Sequence, residues 1–277
     1  MTPDLILHCG VQKTGSTALH HFLQANQDAL RGDLAILTPR KGSALREMGR
    51  LAGLFSLGDA TEGALVHAIE EIRAEVQSLS VSRVLVSHEN LPGAMMGRAG
   101  VTTLYPRLDA LLALFEAHLA PLHPTYAFYT RDMGGWKRSV HNQAVKSDSY
   151  TNPLEEFMHD TADCGAWDTL EQRVSNVLGQ KRAHFFALEK EADRTRPGQQ
   201  LLQLCGVNAD QHAALKPLSS ARNESLGHGA LEFMRLMNGL NLDRPARRSV
   251  AQLITQNPTL FAQTRPDTEK GTAPWYN

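Results

Sequence analysis

The segment Gly10-Val11-Gln12-Lys13-Thr14-Gly15-Ser16-Thr17 gathers two glycines, a lysine and three hydroxyl side chains into eight positions. Such a set can hold an anion. Its glycine spacing is that of a nucleotide phosphate loop: Gly, four residues, Gly, then two positions ending in Thr. A helix beginning near Thr17 would aim free backbone N–H groups at the anion. Gly15 would let the backbone come close, Ser16 and Thr17 would donate from their hydroxyls, and Lys13 would add a point charge. The lysine that usually follows the second glycine is replaced by Ser16 and stands earlier, at Lys13. That displacement, with no acidic metal ligand evident after a later strand, counts against ATP with magnesium.

The elements that must position this loop alternate in period. The apolar run Leu5-Ile6-Leu7-His8-Cys9 ends at Gly10 and reads as a buried strand, and a helical spacing of Leu19, Phe22, Leu23 and Leu30 follows. Residues 35–37, 84–86, 126–129 and 184–188 read as further strands. Helices are expected over 61–79, 104–119, 136–147 and 199–204. Strands alternating with helices predict an α/β fold of the phosphate-loop type, three layers (α/β/α) around a central, mostly parallel sheet. Such sheets bind ligands beyond the carboxyl ends of their strands. Three polar clusters fall there: residues 10–17, 87–90 and 131–139. One domain is expected over 1–277, its last part, 240–277, a helix followed by an irregular tail.

Composition narrows the partners. The chain of 277 residues has 28 Lys and Arg against 29 Asp and Glu, a net charge of −1. General binding to nucleic acid or a membrane surface needs a clear basic excess, so neither is expected. No apolar run is long enough to span a membrane, and the first ten residues lack a secretory pattern. Cys9, Cys164 and Cys205 suit neither a disulfide framework nor a zinc site, which points to a reducing cytoplasm.

The stretch from Val11 to Leu19 resembles the 5′-phosphosulfate-binding loop of sulfotransferases that use 3′-phosphoadenosine 5′-phosphosulfate. It is nearest the bacterial members related to the carbohydrate sulfotransferases. The resemblance implies that Lys13 contacts the phosphosulfate and stabilises the departing phosphate oxygen, with Gln12, Thr14, Gly15, Ser16 and Thr17 around the 5′-phosphate. It also implies a 3′-phosphate site made by an Arg at a strand end and a Ser eight residues later. Arg131 and Ser139 supply both within Tyr129-Thr130-Arg131-Asp132-Met133-Gly134-Gly135-Trp136-Lys137-Arg138-Ser139. A guanidinium makes forked, charge-assisted bonds to phosphate, so the residue type suits the role. Met133 stands where the family often has Pro. Weaker likeness extends to Asn152-Pro153-Leu154-Glu155-Glu156-Phe157 and to Arg222-Asn223-Glu224-Ser225-Leu226.

Sulfuryl transfer to an alcohol needs a base, and Ser87-His88-Glu89-Asn90 is in the expected place. Related carbohydrate enzymes use Glu or His. Glu89 is the favoured base and His88 the alternative. No metal is implied. Two other readings stay open: a kinase or ATPase using magnesium-ATP, and a nucleotide-binding protein without turnover. The acceptor is expected to be a carbohydrate or other small molecule, in a pocket shaped by residues 40–60, 90–103 and 148–166. Lys137, Arg138 and Lys146 read as a solvated basic face or as contacts for an anionic acceptor.

Overall fold

The computed structural model describes residues 2–219 and 226–261, and they form two compact units. The first covers residues 2–141 and 154–219. Its strands are β1 (Asp4–His8), β2 (Leu34–Leu37), β3 (Arg83–Ser87), β4 (Thr125–Thr130) and β5 (Ala183–Ala187). They form an all-parallel sheet in the order β2-β3-β1-β4-β5, so the first of these strands in sequence lies at its centre. The helices are α1 (Ser16–Ala25), α2 (Gln27–Leu30), α3 (Ala44–Leu57), α4 (Glu62–Ser78), α5 (Leu108–Leu119), α6 (Met133–Ser147), α7 (Leu154–Asp160), α8 (Trp167–Leu178), α9 (Gln199–Leu204) and α10 (Ala209–Ala214).

The expected α/β class is the observed one, and strand alternation explains its three layers. Ile6, Leu85, Ala127 and Tyr129 point to one face, where Leu19, Phe22 and Leu23 of α1 and Leu201 and Leu202 of α9 pack on them. Leu5, Leu7, Val84, Val86, Tyr126 and Phe128 alternate to the other face and are equally buried. There the Tyr126 hydroxyl donates to Glu116 of α5 at 2.9 Å. Strands buried on both faces read as unbroken apolar runs, which is why β1 and β3 were legible.

Local chemistry sets the helix ends. Thr61 caps α4 by accepting from Ala64 N, and Leu65, Ile69, Ile72 and Val76 recur on its buried side. Asn208 and Gln211 form a reciprocal capping box at α10. The run expected to continue through Leu30 breaks at Asn26, whose amide Nδ2 donates to Phe22 O at 3.0 Å and to Lys216 O at 3.0 Å. The helix expected from residue 104 begins at Leu108, with Leu104 and Tyr105 buried ahead of it. Residues 44–57, expected as pocket-shaping loop, are helical, with Ser43 as N-cap accepting from Arg46 N and Gly58 as left-handed C-cap.

The second unit, described over 142–153 and 226–261, takes the end of α6 together with α11 (His228–Asn238) and α12 (Arg244–Gln256). Val145, Ala230, Leu231, Met234 and Ile254 form its core. Asn238 Nδ2 donates to Val145 O at 2.8 Å and Tyr150 O at 3.0 Å. Asn223 and Ser225, in the weaker resemblance, lie outside the described residues, as does the tail from 262. Among the described residues no helix is long and apolar enough to cross a membrane.

Candidate active site

β1 ends at His8, and the chain turns back into α1 through two residues in the left-handed region, Lys13 at φ 68° and Gly15 at φ 89°. A Cβ at Gly15 would meet only Leu188 Cδ1, at 3.7 Å, so glycine is needed there for conformation rather than space. Thr14 Oγ1 donates to Val11 O at 2.5 Å and closes the turn. Gly15 is the N-cap of α1 and no side chain caps it. The N–H groups of the first turn therefore open toward solvent beside exposed Gly15 and Thr17. With the helix dipole behind them, they suit an anion.

The neighbours of β1 in the sheet deliver the other two clusters to this loop. From the β3 side, Ser16 Oγ donates to Glu89 Oε2. Gln12 is buried and its amide is fully engaged. Its Nε2 donates to Asn90 Oδ1 at 3.2 Å and Gly93 O at 2.9 Å, and its Oε1 accepts from the Tyr105 hydroxyl at 2.5 Å. From the β4 side, Trp136 Nε1 donates to Gln12 O at 2.8 Å, and an Arg131 guanidinium nitrogen stands 3.4 Å from Lys13 O. Asp132 caps α6 through Gly135 N at 2.7 Å, while its own N–H donates to Glu189 at 2.8 Å. Trp167 Nε1 donates to Arg131 O at 2.6 Å, and the two indoles meet edge to face at 4.9 Å. Each indole N–H thus holds a carbonyl of one of the two motifs. Ser139 lies two turns into α6, half-buried.

No protein-family model matches this chain. No curated protein matches it either. Among solved structures, a sulfotransferase from Alicyclobacillus acidocaldarius is similar, at 14% identity and a TM-score of 0.46, over 90% of this chain and 99% of that one.

Beneath the loop lies a line of imidazoles. The Ser87 hydroxyl is 2.7 Å from His8 Nδ1 and 2.9 Å from His20 Nε2. Burial, then the charge of His20, pushes the His8 pKa down to about 3. Burial, then His21, brings His20 to about 4. His88 falls to about 4, through burial first and then the charges of His20 and Arg46. All three are neutral at physiological pH. His88 Nδ1 accepts from Asn90 N at 3.0 Å, which places its ring proton on Nε2.

The His88 ring packs against Gly49 of α3, where a Cβ would overlap it. Gly53, one turn on, has nothing within 4 Å of its Cβ position. Ala usually stabilises a helix interior by about 1 kcal/mol over Gly. Gly53→Ala is therefore expected to raise stability by roughly that amount. Gly49→Ala should instead lower it by about 1–3 kcal/mol, the cost of overpacking. Denaturant midpoints of the two variants check the opposite signs.

Beside Glu89, His88 and Asn90 opens a cleft of about 880 Å³, walled by residues 39–54 and by Arg98. The first two expected acceptor segments contribute residues to it. Lys137, expected on a basic face, is buried, its ammonium donating to Thr161 O at 2.5 Å. Among the described residues no group of three His, Cys, Asp or Glu is placed to hold a metal ion. Sequence reasoning did not assign Tyr105, Ser87, Trp136 or Trp167 a part in bracing the loop. Trp136 and Ser87 carried a signal, lying inside the polar clusters 131–139 and 87–90.

Proposed function

We propose that this chain is a sulfotransferase that moves the sulfuryl group of 3′-phosphoadenosine 5′-phosphosulfate to a hydroxyl of a carbohydrate acceptor. The observation that supports this most is the meeting of two motifs, 118 residues apart, at one backbone carbonyl: Arg131 against Lys13 O. The residues fit a nucleotide phosphorylated at both ends. The uncapped start of α1 with its Ser16 and Thr17 N–H groups, the Thr17 hydroxyl and the Lys13 ammonium suit the 5′ end; Arg131 and Ser139 suit the 3′-phosphate.

When bound, that donor supplies a labile sulfur–oxygen bond; the chain supplies positioning and charge. Glu89 is the base. One of its oxygens holds the Ser16 hydroxyl, and the other, free of protein hydrogen bonds among the described residues, takes the acceptor proton. His88 has its Nδ1 lone pair occupied by Asn90 N–H and braces the turn instead. Lys13 offsets the charge growing on the departing phosphate oxygen, with no metal required. The acceptor oxygen–sulfur bond forms as the phosphate oxygen–sulfur bond breaks, leaving a sulfate ester and adenosine 3′,5′-bisphosphate. The three cysteines are buried free thiols, consistent with action in the cytoplasm.

Thermal unfolding with adenosine 3′,5′-bisphosphate, magnesium-ATP or AMP tests the donor. Ligand at about 100 times Kd stabilises by roughly 2.7 kcal/mol, worth about 5 °C or more at this size. The bisphosphate alone is expected to give the shift, and Arg131→Ala to abolish it. A shift only with magnesium-ATP overturns the reading in favour of a kinase or ATPase. Donor binding with no transfer to any acceptor would make the chain a silent nucleotide-binding protein, whereas transfer to a non-sugar alcohol would overturn only the carbohydrate part.

A further inference from the structure

The charge around the cleft is not balanced. On the wall made by residues 39–54, three cations, Lys41, Arg46 and Arg50, stand with one carboxylate, Glu47, a local surplus of two positive charges in a chain whose net charge is −1. Arg50 is committed: its Nε and a terminal nitrogen bond the two oxygens of Glu47 at 2.8 and 2.6 Å, and that pair cancels. Among the described residues Lys41 and Arg46 pair with no carboxylate. They precede and begin α3, whose N-terminal dipole adds the same sign. Arg46 lies near enough to the end of β3 for its charge to be felt at the His88 ring.

We infer that the acceptor carries an anionic group beside its reacting hydroxyl, and that Lys41 and Arg46 on the α3 wall of the cleft recognise it. The inference rests on the sulfotransferase reading for the reacting hydroxyl. A negatively charged base repels an anionic acceptor, and the surplus on the opposite wall offsets that repulsion. It also fixes orientation, anion toward α3 and hydroxyl toward Glu89. A neutral sugar could take hydrogen bonds from these side chains but would gain none of the charge attraction. The volume lies within the range of small-ligand sites and admits a sugar unit with its anion.

Saturation-transfer NMR on the full chain with adenosine 3′,5′-bisphosphate present would compare methyl glucuronide, methyl glucoside 6-phosphate and methyl glucoside. At least one anionic sugar is expected to bind about ten-fold tighter than the neutral one. Which one does so separates a carboxylate from a phosphate acceptor. The preference should fade between 50 and 500 mM salt, as about a three-fold shorter screening length requires. Lys41→Ala and Arg46→Ala should each reduce it, and the double variant erase it, with the bisphosphate shift in unfolding temperature unchanged. Equal binding of all three sugars, no binding of either anionic one, or a preference that survives the double variant overturns the inference. Absence of the bisphosphate shift in the unaltered chain would instead remove the donor reading, so the two fail separately.

Discussion

Glu89→Gln is expected to lower sulfuryl transfer by about 10²–10⁴-fold, the usual worth of a positioned general base. The substitution keeps the shape of the side chain. Its amide oxygen can still accept from Ser16, so the loop that Glu89 now touches stays in place. Binding of adenosine 3′,5′-bisphosphate should hold or tighten, because a negative charge is removed next to the start of α1, where the phosphate would bind. The loss must therefore appear in turnover, read from labelled sulfate ester in a single-turnover assay. His88→Gln should cost far less, since its Nδ1 is already used by Asn90 N–H. If His88→Gln loses more than Glu89→Gln, the base role passes to His88. If neither loses ten-fold, the in-line mechanism with a protein base is wrong.

Acid should unfold the first unit unusually early. His8, His20 and His88 have folded pKa values pushed down to about 3, 4 and 4 from an ordinary 6.5, in each case by burial first. Above pH 6.5 they are neutral in both states and full stability is present. Below it, the unfolded chain takes up protons that the folded chain refuses. Stability then falls by about 1.4 kcal/mol per pH unit for each group until its folded pKa is reached. At pH 5 the three together cost about 6 kcal/mol, comparable with a typical whole margin of 5–15 kcal/mol. The geometry adds a reason: a proton on both His8 and His20 would put two like charges on the one Ser87 hydroxyl between them. The melting temperature is expected to drop sharply between pH 7 and 5, and His20→Gln to flatten that drop. A melting temperature constant over this range would refute the account.

Much of this was legible in the residues. The strands that are apolar on both faces, the glycine loop and the three polar clusters at strand ends all follow from local pattern. Helix α3 was not, and the reason is chemical. Its apolar positions Leu45, Met48, Leu51, Ala52 and Phe55 have helical spacing, but Gly49 and Gly53 lower the propensity of the segment. Gly49 is there because the His88 ring needs the room, a contact across 39 positions that no local window contains. Lys137 looked like surface charge because its partner, Thr161 O, follows α7, and nothing in the sequence around it points to that carbonyl. Gln12 is similar. Read as a donor contact, it spends its amide on Asn90, Gly93 and Tyr105, roughly 80 to 90 residues away, which only the sheet order brings near.

The central place of β1 bears on how the chain is made. Of the five strands β1 leaves the ribosome before the others, yet it pairs with 83–87 on one side and 125–127 on the other. Until β4 has emerged, the strand lacks a complete set of partners and keeps at least one edge open. Closing such long separations is slow, and exposed strand edges invite wrong pairing while they last. Order of synthesis thus differs from order of enclosure: the earliest of the five strands must wait for the fourth before it is paired on both edges.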